Sequence, residues 1–241
     1  MKNLVEVKNL KKNYGLKEAV KNISFSIKEN EILGLLGPNG SGKTTTIGML
    51  LGLLKPTNGE ILIDGKKIED NRIETLEKIN FISPYIELPK KLTVKQNLIV
   101  YCKLYNVSNI KKRIEYLVEK LKLEDLLNSV TGELSSGQKN RASLAKALIN
   151  NPSVLFLDEP TASLDPEIGD YVRSFLESYK KEKKISILLA SHNMNEVTRL
   201  CKKVLMMKDG IIIDEGVPEE LIKKTIPLLF LSIFLRTSWT L

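Results

Sequence analysis

The sequence predicts an α/β domain of two lobes: a mostly parallel sheet joined to an antiparallel β subdomain, and a helical insert. Three stretches carry that prediction. Gly37-Pro38-Asn39-Gly40-Ser41-Gly42-Lys43-Thr44 fits the P-loop pattern G-x-x-x-x-G-K-[ST], between the apolar run Ile32–Leu36 and an apolar helical segment from Thr45 to Leu54. Two largely apolar runs, Val154–Leu157 and Ile185–Ala190, flank the helical segment Pro166 to Lys180, as in a βαβ unit whose strands are buried on both faces. Between about Pro84 and Asn151 no strand signal appears, and apolar residues recur at helical spacing.

Taken in order, Leu4–Val7 and Ala19–Ile27 alternate apolar and polar like half-exposed antiparallel strands, with Asn13-Tyr14-Gly15 as a turn carrying an aromatic. After the P-loop unit, Gly59–Gly65 reads as a strand ending in an Asp-Gly hairpin turn, and Ile79–Ile82 as a short strand. The insert holds helices over Val94–Tyr105 and Lys111–Leu121, and a third that starts near Ser135 or Ser136 and stops before Pro152. Leu205–Ile213 reads as a hairpin over Asp209-Gly210, and Pro218 starts a short helix.

Each chemical element needs the residue types it has. A glycine loop between strand and helix lets successive N–H groups converge on phosphate oxygens at the positive end of the helix. Lys43 can reach the β- and γ-phosphates, and the Thr44 hydroxyl can ligate Mg²⁺. Val154 to Leu157 deliver Asp158 and Glu159 to the edge of the sheet where ligands of open α/β folds bind. Asp158 suits the metal, and Glu159 suits the attacking water. Leu134-Ser135-Ser136-Gly137-Gln138 opens a helix with serines and a glycine, a second place where unpaired N–H groups can meet phosphate.

Together the P-loop, Leu-Ser-Ser-Gly-Gln, Leu-Phe-Leu-Asp-Glu-Pro and the single histidine, His192, resemble the ABC-type ATPases, the nucleotide-binding subunits of ABC transporters. The resemblance covers about Leu4 to Leu221. It implies a P-loop NTPase fold of ABC type and hydrolysis of ATP with Mg²⁺. It also implies a head-to-tail dimer with a second ATP-binding subunit, homo- or heteromeric. ATP would lie between Gly37 to Thr45 of one chain and the signature Ser135, Ser136, Gly137 and Gln138 of the other. By the same resemblance Tyr14 stacks on adenine (otherwise it is a turn tyrosine), His192 contacts the γ-phosphate and acts with Glu159, and Asp165, in Ala-Ser-Leu-Asp, belongs to a loop through which the subunits communicate. One departure stands out. Where the family usually has a glutamine after the strand Ile79–Ile82, this chain has Pro84, which has no side-chain oxygen. Ser83 or Glu87 is left as a substitute, or coupling works differently.

Composition narrows the setting. The 241 residues are 42% hydrophobic, enough for a sizeable core, and no 18-residue apolar run is present to span a bilayer. The net charge of +8 comes from lysines spread along the chain, with only short clusters such as Lys180 to Lys184, so no nucleic-acid partner is expected. Cys102 and Cys201 lack metal-ligand spacing and read as free thiols of a reducing cytosol, and the start of the chain is too polar for a signal peptide. The expected setting is therefore cytoplasmic, on the inner face of the membrane through a separate integral permease. The short form and Ala-Ser-Leu-Asp resemble those of export systems. The alternative is a soluble ABC ATPase acting on ribosomes or nucleic acid, although such members usually carry tandem domains or a long coiled coil. Residues 1–225 form the ATP-binding domain on this reading. The apolar tail 226–241 suits a packed helix, an altered C-terminus or a membrane-surface patch.

Overall fold

The computed structural model describes residues 2–83, 86–162 and 164–224. Pro84, Ser163 and the tail 226–241 therefore lie outside the described residues.

Two sheets build the chain. The first is antiparallel, in the order β2-β1-β4-β5, from β1 (Asn3–Tyr14), β2 (Lys17–Lys28), β4 (Asn58–Ile63) and β5 (Lys66–Lys67). The hairpin strands β1 and β2 are 12 residues each, longer than the alternation in the sequence suggests. The ladder slips between Val7 and Leu10, beside Asn9 at φ 49°, so two side chains three residues apart share the buried face. A strict period of two cannot see such a strand. The turn Asp64-Gly65 has positive φ at both residues, as a two-residue hairpin requires.

The second sheet runs β10-β9-β3-β8-β7-β6. It is built from β3 (Ile32–Leu36), β6 (Ile79–Ile82), β7 (Val154–Asp158), β8 (Ser186–Ser191), β9 (Lys203–Lys208) and β10 (Ile211–Gly216). All neighbours pair parallel except the terminal hairpin of β9 and β10. Every residue of β3, β7 and β8 is buried. Their alternate side chains serve two cores. Leu33, Leu35, Phe156, Leu188 and Ala190 pack with the antiparallel sheet and with α1 (Lys43–Leu50). Leu36, Leu155, Leu157, Ile187 and Leu189 share a core with the insert helices α3 (Val94–Leu104), α4 (Ile110–Leu121) and α5 (Ser136–Leu148). The insert thus shares one continuous core with that face of the parallel sheet; its three helices pack on one another, and α5 meets β6.

Two helices differ from expectation. The helix after the P-loop stops at Leu50, not Leu54. Gly52 N donates to Met49 O and Leu53 N to Gly48 O, both at 3.0 Å, which folds the chain back over the helix end. The seven-residue α2 (Arg72–Lys78) was not read from the sequence; it buries only Thr75 and leaves no apolar period to detect. The βαβ helix α6 (Pro166–Lys183) opens on Pro166, and α7 (Met194–Leu200) follows β8. Cys102 and Cys201 are both free and buried.

Candidate functional site

The glycine loop leaves β3 and enters α1 against two neighbours. A Cβ at Gly37 would collide with the carbonyl oxygen of Met207 in β9, so only glycine lets the loop lie this close to the sheet. Gly42 caps α1 at φ 107°, and no side chain caps the helix there. Lys43 is 5% exposed, and its Nζ donates to Gly37 O (2.7 Å) and Pro38 O (3.2 Å), so the loop holds its own cation in place. A cleft of about 660 Å³ opens in front of it, lined by Tyr14, Asn39, Gly40, Gly42, Lys43, Thr44, Thr45, Asp158 and Glu159 among others.

The acidic pair at the end of β7 is split in direction. Asp158 is buried, and its Oδ2 accepts from Thr44 Oγ1 at 3.0 Å, while Oδ1 has no hydrogen-bond partner among the described residues. Burial raises its carboxyl pKa, against the lowering effect of the Thr44 hydrogen bond. Glu159 takes φ 51°, and its N–H donates to Ala190 O at 2.9 Å, which turns its side chain away from that of Asp158. Its Oε1 lies 2.8 Å from His192 Nδ1 and 3.9 Å from Lys43 Nζ. The pair shares one proton, which Nδ1 donates when the carboxylate is ionised.

The structure thus brings the P-loop, Tyr14, Asp158, Glu159 and His192 together, and it leaves the signature apart. Ser135, Ser136, Gly137 and Gln138 do not line the cleft. They form the start of α5, where Ser135 Oγ accepts from Gln138 N (3.3 Å) and Gln138 Oε1 accepts from Ser135 N (2.9 Å). Ser135 and Ser136 are exposed. Asn140 Nδ2 donates to Pro160 O at 2.7 Å, tying α5 to the loop after Glu159. Asp165 is exposed at the N-cap of α6, with no capping hydrogen bond from its side chain. Ser83 and Glu87 border a pocket that also includes Ser136 and Glu159, and Glu87 pairs with Lys90 at 2.6 Å.

The cleft has walls that sequence reasoning missed. Lys17, Ala19, Lys21, Asp209 and Gly210 line it too. Gly210 N donates to Ser41 O (3.0 Å) and Gly210 O accepts from Lys21 N (2.7 Å), so the last hairpin clasps the P-loop to the antiparallel sheet. In the sequence Asp209-Gly210 signals only a turn; its neighbours depend on the strand order.

Comparison with known proteins gives the family. The family described as ABC transporter matches residues 20–162. The chain is 39% identical to the Nod factor export ATP-binding protein I of Burkholderia orbicola, over 92% of this chain and 73% of that protein. It is 36% identical to a bacitracin transport ATP-binding protein of Bacillus licheniformis, over 93% of this chain and 72% of that one. It also superposes on a dimeric ATP-binding cassette solved in a post-hydrolysis state with ADP and Pi, with a TM-score of 0.83 and 29% identity, covering 89% of this chain and 98% of the other. With a family match across more than half of its length and relatives of this similarity, the chain belongs to the ABC transporter family, as one of its ATP-hydrolysing subunits.

Proposed function

We propose that this chain couples ATP hydrolysis to export through a separate membrane permease, and that each ATP site is completed by a second ATP-binding subunit. The observation that carries the site assignment is the position of the Glu159 carboxylate, between Lys43 Nζ at 3.9 Å and His192 Nδ1 at 2.8 Å, at the cleft. There it can accept a proton from a water aimed at the γ-phosphate, while His192 holds the carboxylate in place and Lys43 faces the β- and γ-phosphates. Tyr14, 48% exposed at the cleft rim, offers a face to adenine. Thr44 and Asp158 fit Mg²⁺: a hydroxyl and a buried carboxylate oxygen without a partner are the hard oxygen ligands it takes. When bound, the ion would neutralise charge on the phosphates. Ser135 to Gln138 of the paired subunit would close the cleft, with Asp165 in the loop between subunits.

Export is supported by the names of the relatives, which concern Nod factor export and bacitracin transport. No helix among the described residues is long and apolar enough to cross a membrane, so the pathway would lie in the permease, with this chain on its cytoplasmic face. Residues 1–225 would be the ATP-binding domain, with the insert as the part facing the paired site. Replacing Lys43 with alanine tests the cleft assignment: ATP binding should weaken and turnover disappear while the circular dichroism spectrum stays unchanged. A folded Lys43→Ala protein that hydrolyses ATP at the normal rate refutes it.

A further inference from the structure

A second connection runs beneath the Glu159–His192 contact, and it centres on Glu196 in the first turn of α7. The Glu196 carboxylate is 2% exposed. Its Oε1 accepts from Thr161 Oγ1 at 2.7 Å and its Oε2 from Ser191 Oγ at 2.8 Å. Among the described residues no cation pairs with it. Thr161 lies two residues beyond Glu159, in a turn closed by Ala162 N donating to Glu159 O at 3.1 Å. Ser191 immediately precedes His192, and its Oγ also accepts from Asn193 N at 3.0 Å. One buried carboxylate therefore grips the loop that carries Glu159 and the loop that carries His192.

We propose that Glu196 is a positioning residue that fixes the distance between these two loops, and so aligns Glu159 and His192. The proposal rests on the roles given to those two side chains above. Three physical points favour it. A buried carboxylate without a cation is costly, and an apolar residue would serve better if packing were its only task. Helix capping does not require it either, because Asn193 already caps α7 through Asn195 N and Glu196 N. Finally, the His192 side chain is 57% exposed, so its contact with Glu159 lies at the surface, whereas the Glu196 carboxylate and its bond to Ser191 are buried.

Steady-state ATP hydrolysis by Glu196→Ala tests this. Misplacing a catalytic pair by about an ångström costs on the order of 10²-fold, so kcat should fall by that order while KM for ATP holds. In a His192→Ala background the same change should cost nothing more, since the alignment it protects is already gone. Glu196→Gln keeps one acceptor and supplies an N–H that a hydroxyl can accept, so it should recover most of the rate. Thr161→Val and Ser191→Ala each cut one arm and should fall between; they carry the test if Glu196→Ala does not fold. A folded Glu196→Ala protein with normal kcat, a rise in KM alone, or the same loss with and without His192 overturns the proposal. Failure of the underlying roles looks different: His192→Ala and Glu159→Gln would then themselves hydrolyse ATP normally.

Discussion

Two helix N-termini in this chain offer themselves to phosphate, and they are built in opposite ways. At α1 the cap is Gly42, with no side chain over the first turn, and the helix end opens into a cleft already furnished with Lys43, Thr44, Asp158 and Glu159. At α5 the cap is Ser135, which forms a reciprocal pair of hydrogen bonds with Gln138 and stands exposed. The α1 end leaves its donors free for a ligand. The α5 end already pairs two of its donors, Ser135 N and Gln138 N, in a cap worth about 1 kcal/mol, and a phosphate that draws on either must replace that bond. The first is a site in one chain; the second gains a site only when something is brought to it. That asymmetry fits a nucleotide held first by α1 and then bridged to α5 of a neighbour.

Substitutions at the α1 end should have the largest effects. Glu159→Gln keeps the shape and an acceptor oxygen but loses the base, so kcat should drop by about 10²–10⁴ with ATP binding retained, as single-turnover hydrolysis and equilibrium binding would measure.

Asp158→Asn should separate activity from stability. Its folded carboxyl pKa is raised, mainly by burial, so ionisation disfavours the fold, and that cost is present at neutral pH. The asparagine variant should lose ATPase activity yet melt higher at pH 7, by about 2–4 °C for each kcal/mol relieved. Its advantage should vanish below about pH 4, where the aspartate is protonated folded and unfolded alike. A lower Tm at neutral pH would mean that the Thr44 hydrogen bond outweighs the burial cost.

The smallest effect should come at the rim. Tyr14→Ala should weaken ATP binding roughly tenfold, the lower part of what stacking on a base contributes, without changing kcat. An unchanged Kd would make Tyr14 an ordinary residue at the end of β1.

The sequence was most informative where chemistry is local. The P-loop, the strand before it and the acidic pair at the end of β7 are each contiguous in the chain, and burial on both faces makes their strands unbroken apolar runs. It was least informative where position depends on the fold. The bulge at Asn9 broke the alternation in β1, so the strand's full length was hidden. Gly210 reaches the P-loop only because β9 lies beside β3, and Glu196 joins two loops that are 30 or more residues apart in sequence. The insert reads as a lobe because its helices are amphipathic; the structure joins their apolar faces, packed on one another, to the core on one side of the parallel sheet, which α5 meets at β6. Residues of the signature were legible as a helix start, but no pattern in one chain can display a partner.

The central claim, that α1 of one subunit and α5 of another share one ATP, is tested most directly by the mass of Glu159→Gln in solution. Light scattering on the purified variant should give a dimer in ATP and a monomer in ADP, which lacks the γ-phosphate that α5 would grip. Adding Ser135→Arg, which places a bulky side chain at the α5 end, should return the ATP sample to a monomer. A Glu159→Gln protein that binds ATP and stays monomeric, or one that still dimerises with Ser135→Arg, would contradict the shared site.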